Sequence, residues 1–139
     1  MVIDPATGSL CFDGGVTLGA GLTRSALLQT PVGETQEVWV RNEPWCSWRV
    51  TRLKAAGRTF LAVLQFHSEQ LKWVSLVESD QVGLGSWSDW SEAHELEMKA
   101  QYEAFLSSEL GKDRSFPWGS ATAIYDARGG SSSIHITYG

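Results

Sequence analysis

The alternation of apolar and polar positions changes period several times along the chain, and those changes divide it into elements. Val2-Ile3 and Leu10-Cys11-Phe12 are short apolar runs. Between them, Asp4-Pro5-Ala6-Thr7-Gly8 supplies Asp, Pro and Gly, the residues that turns require. This predicts a small hairpin, ended by Asp13-Gly14-Gly15. A short helix is expected next, with Thr23 as its N-cap, Ala26-Leu27-Leu28 as its apolar face, and Pro31 and Gly33 to stop it.

Strand periodicity takes over from Glu37 to Glu78. Val38-Trp39-Val40 leads into the turn Asn42-Glu43-Pro44. Cys46, Trp48 and Val50 then alternate with Ser47, Arg49 and Thr51, the pattern of a half-buried strand. Thr59 to Phe66 is apolar at both parities and is expected to run through the middle of a sheet. Leu71 to Val77 follows after His67-Ser68-Glu69-Gln70. Short connections between three consecutive strands predict an antiparallel meander.

A long helix is expected from a capping box at Asp89 and Glu92 to about Leu110, with Gly111 as its stop. Its apolar residues form two stripes: Ala93, Leu96, Ala100 and Ala104 on one side, Met98, Tyr102 and Phe105 on another. Only one of these needs to meet the sheet. A final hairpin pairs Ala121–Tyr125 with Ile134–Tyr138 around Ala127-Arg128-Gly129-Gly130. The order ββ-α-βββ-α-ββ contains no βαβ unit. The expected fold is therefore a single α+β domain over residues 1–139, an antiparallel sheet with one long and one short helix on one face.

Composition narrows the function classes. The chain is 42% hydrophobic and carries sixteen acidic against eleven basic residues, a net charge of −5. An acidic chain of this kind argues against nucleic acid, which demands clustered Lys and Arg. A basic protein partner or a small neutral ligand suits the net charge better. No apolar stretch approaches the ~20 residues of a membrane span, and the N-terminus lacks a signal-peptide pattern, so a cytoplasmic protein with no membrane partner is expected. An edge strand or the second helix stripe could support a homodimer. Cys11 and Cys46 form no CxxC pair, and both are expected as small buried hydrophobes.

Catalytic templates fail one by one. His94-Glu95 opens like HExxH, but Met98 stands where the second histidine belongs. Gly83-Leu84-Gly85-Ser86-Trp87 has its serine out of register for a nucleophile elbow. Asp126 and Arg128 flank the last turn and could bind a polar ligand. No metal ligand set, cofactor motif or catalytic group is assigned, and the reading leans away from an enzyme. A rival reading places a ligand pocket between sheet and long helix, drawing on Arg49, His94, Asp126 or Arg128.

Tryptophan is the anomaly, with seven in 139 residues. Trp48 shares its parity with Cys46 and Val50 and is expected in the core. Trp39 and Trp45 fall on the opposite parity. If an open sheet face carries Trp39, Trp45 and Trp73, it forms a hot-spot-rich surface, since tryptophan anchors interfaces more than most residues. Trp118, Asp126 and Arg128 complete the candidate binding residues. Carbohydrate stacking on exposed rings is a further alternative.

Trp87-Ser88-Asp89-Trp90-Ser91-Glu92 and the ending Pro117-Trp118-Gly119-Ser120-Ala121, Tyr125-Asp126-Ala127-Arg128-Gly129, Ile134-His135-Ile136-Thr137-Tyr138 resemble a small bacterial protein family with no established activity. The resemblance implies a bacterial cytoplasmic protein. In size, acidity and want of a catalytic set the chain is also similar to small α+β immunity proteins, which bind and neutralise toxins. The leading expectation is a non-catalytic protein-interaction domain, of immunity or adaptor type.

Overall fold

A computed structural model describes residues 2–13, 16–19, 21–29, 34–37, 44–55, 57–78, 92–126 and 131–138. In chain order the elements are β1 (Leu10–Phe12), β2 (Val16–Leu18), α1 (Arg24–Gln29), β3 (Glu34–Glu37), β4 (Trp45–Ala55), β5 (Arg58–His67), β6 (Gln70–Glu78), α2 (Glu92–Leu110), β7 (Ser115–Phe116), β8 (Gly119–Asp126) and β9 (Ser131–Tyr138). β1 and β2 form a two-stranded ribbon, and the rest build a seven-stranded antiparallel sheet in the order β3-β4-β5-β6-β9-β8-β7. The α+β antiparallel architecture expected from the sequence is the one observed.

Three strands exceed the sequence reading. β2 turns back on β1, pairing Leu10 with Leu18, while Ile3 holds only a single bridge to Leu10. β3 extends the meander at its edge, but Glu34-Thr35-Gln36-Glu37 has no apolar residue to mark it. β7 is a two-residue strand paired with Ser120 and Gly119. The expected strand at Val38-Trp39-Val40 lies outside the described residues, as does the Asp89 cap.

One face of the sheet carries the core. Cys46, Val50, Leu53 and Ala55 on β4, Phe60, Ala62, Leu64 and Phe66 on β5, Leu71, Val74 and Leu76 on β6, and Ile134 and Ile136 on β9 are all buried there. β5 and β9 bury alternate residues, so a period of two supplies one dry face. At roughly 25 cal/mol per Å² of apolar surface, that burial is the main force holding the sheet to its cover. The cover consists of α2, α1 and the β1–β2 ribbon.

α2 meets the sheet through Met98, Tyr102 and Leu106, which are buried, with Phe105 packed beside them. The Ala93, Leu96, Ala100 and Ala104 stripe faces outward, with Leu96 46% exposed. Carboxylates pin the helix near both ends. Glu95 accepts the Ser132 N–H at 2.9 Å on β9. Glu109 accepts the Val2 N–H and, at 2.8 Å, the Ile3 N–H. At the C-terminal end the Gly111 N–H closes the last turn on the Ser107 carbonyl at 2.9 Å, with φ of 75° at Gly111.

α1 is short, and its start is well held. Thr23 Oγ1 accepts the Ala26 N–H at 3.1 Å, as expected of the N-cap. Glu69 in the β5–β6 turn accepts the Ser25 N–H at 2.8 Å and sits 3.5 Å from the Arg24 guanidinium. The Ser25 hydrogen bond, with Arg24 behind it, lowers the Glu69 pKa below the ordinary carboxylate range.

Cysteine placement corrects one expectation. Cys46 is buried, but Cys11 is exposed. The alternation of β1 explains this: Leu10 and Phe12 take the buried parity, which leaves the residue between them outside.

Candidate functional site

The opposite face of the sheet is half-buried at Arg49, Gln65, Trp73 and His135 and exposed at Trp45, Thr122, Ile124 and Thr137, with Ser47 buried among them. Strand registry places its outward residues in rows. Trp45 stands opposite His67. Ser47, Gln65, Trp73, Thr137 and Ser120 form the next row. Arg49, Val63, Ser75, His135 and Thr122 form the third. Leu61, Val77 and Ile124 make an aliphatic zone beyond. β4 slips register between Val50 and Leu53, with Arg52 at φ 61°, and Lys54 then rejoins this face opposite Thr59.

Two aromatic–imidazole pairs organise the rows. Trp45, 40% exposed, meets His67 edge-on with ring centroids 4.7 Å apart. Trp73 lies 5.0 Å from His135 with the ring planes inclined at 34°. Between the two tryptophans, Ser47 donates its hydroxyl to Gln65 Oε1. Rigid rings, an amide and hydroxyls in adjacent rows combine apolar contact with hydrogen-bonding capacity, the composition that carries recognition surfaces.

Charge is distributed unevenly over the molecule. At the outward register positions of β4, β5, β6, β9 and β8, the charged or titratable groups are Arg49, Lys54, His67, His135 and Asp126, and Arg52 and Lys72 stand at the register shifts of β4 and β6. Asp126, at the end of β8, is the one carboxylate among them. On the edge strand Glu34 pairs in register with Thr51. α2, on the covered side, carries Glu92, Glu95, Glu97, Glu103 and Glu109.

Burial pushes the His135 pKa below its ordinary value, because the half-buried ring is partly desolvated. Folding then favours the neutral imidazole. His135 contributes stability that is present above the unfolded pKa of about 6.5 and is lost as pH falls through the folded value. NMR titration should place the His135 midpoint below that of a histidine-containing peptide. The denaturant midpoint of His135→Gln should fall less than that of the unaltered protein as pH drops below about 6. A His135 midpoint at or above 6.5 would contradict this.

The sequence-derived candidates separate cleanly. Trp45 and Trp73 lie at outward positions of the same sheet face, Trp45 at the parity opposite Trp48. Trp118 does not join them. It stacks on Phe116 at 4.9 Å, packs 6.0 Å from Tyr138, and donates its Nε1–H to the Pro5 carbonyl at 2.9 Å. Trp48 is half-buried against the core. Trp39 and Arg128 lie outside the described residues. Arg49 is on the open face while His94 is exposed on α2, across the sheet, so the set expected to line one pocket is not brought together. Met98, Tyr102 and Leu106 fill the space between helix and sheet instead. Among the described residues no three of His, Cys, Asp and Glu gather closely enough to hold a metal ion.

His67, Gln65 and His135 were not singled out by the sequence as partners of the tryptophans. Each lies at the outward parity of its strand, which is legible. That β6 pairs with β9, which brings Trp73 to His135, is not.

No family model, curated protein or solved structure matches the chain. Among the described residues no helix is long and apolar enough to cross a membrane.

Proposed function

We propose that the domain is a non-catalytic protein-interaction module of the immunity or adaptor type, working in the cytosol, with the open sheet face as its recognition surface. The observation that carries the reading is Trp45, 40% exposed beside His67 and in a row next to Trp73 on the same sheet face. An exposed indole held by a neighbouring ring binds with little loss of conformational freedom, which is how interface hot spots work. The test is capture on the tagged protein from its own cytosol, with Trp45→Ala as the control. A stoichiometric partner lost in Trp45→Ala supports the reading. A blank from well-folded protein, or a partner retained by the variant, overturns it.

Carbohydrate binding is a second reading, favoured by the Gln65 amide standing opposite Trp73 in register. Sugar rings stack on indoles while an amide takes their hydroxyls. Quenching or shift of tryptophan fluorescence on titration with soluble oligosaccharides, absent in Trp73→Ala, would support it over a protein partner.

A further inference from the structure

We draw no further inference here: the strongest candidate, the outer edge of β8 past its short pairing with β7, where Ile124 is 38% exposed, carries none because Ala123 in the middle of that edge is buried and nothing in the structure shows what covers it.

Discussion

Gly119→Ala is expected to destabilise the protein by about 3–5 kcal/mol, a large share of the stability of a domain this size. Gly119 opens β8, paired with Phe116 on one side and Tyr138 on the other. Its φ is +147°, a conformation L side chains rarely adopt, and an added Cβ would fall 1.8 Å from the Thr137 carbonyl oxygen. The obstacle is backbone of the neighbouring strand, which cannot swing aside as a side-chain tip can. The cost spreads because Trp118, the residue before it, covers Gly8, where a Cβ would come within 2.4 Å of the indole. Tyr138 in turn donates its hydroxyl to the Gly8 carbonyl at 2.7 Å. Urea unfolding should show a lower midpoint at unchanged slope. Gly21→Ala is the control, since nothing lies within 4 Å of its Cβ position. Equal midpoints for the two variants would mean that the β8–β9 approach is looser than described.

Phe60→Ala should cost a similar amount, about 3–5 kcal/mol, for a different reason. Phe60 is 1% exposed and touches both parts of the sheet's cover: Phe12 of the β1–β2 ribbon at 6.2 Å and Phe105 of α2 at 6.1 Å between ring centroids. The Arg58 guanidinium also lies over the Phe105 ring, 5.6 Å from its centroid. Truncation leaves a cavity whose walls belong to three separate elements, none free to collapse into it alone. Phe60→Leu, which keeps most of the volume, should cost about 1 kcal/mol. Denaturant midpoints for the pair decide the matter. Similar losses in both would place the effect in aromatic contact and not in volume.

Elements with a strong local period were legible in the sequence. β4, β5 and β6, the end of α2 at Leu110 and the β8–β9 hairpin follow from alternation, Gly111 and turn residues. The weakly marked ones were not: β3 has no apolar residue, β7 has two residues, and β2 is too short to show a period. Of the candidate site, the outward parity of Trp45 could be read, because Cys46, Trp48 and Val50 fix the inward one. Trp73 was grouped with it only conditionally. The bulge where Gln65 and Phe66 meet β6 puts Trp73 opposite Gln65 and Leu71 opposite Phe66, a shift that alternation cannot disclose. Trp118 misled for a physical reason: an indole near a loop satisfies its N–H just as well on a local carbonyl as on a partner. Strand order lies beyond periodicity altogether, so the Trp73–His135 pair emerged only with the fold.

The join between β6 and β9 has a consequence for folding. The other long ladders of the sheet link strands that follow one another closely in the chain. This one, from Trp73–Thr137 to Leu76–Ile134, joins strands that α2 and the β7–β8 hairpin separate in the chain. Loop-closure entropy is heaviest there, which slows assembly relative to the hairpins on either side. The same join runs through the middle of the open face, with Trp73 contributed by one half and His135 by the other. An occupant that grips both halves acts as a clasp: it binds only the zipped sheet, and by mass action it draws the chain towards the closed state.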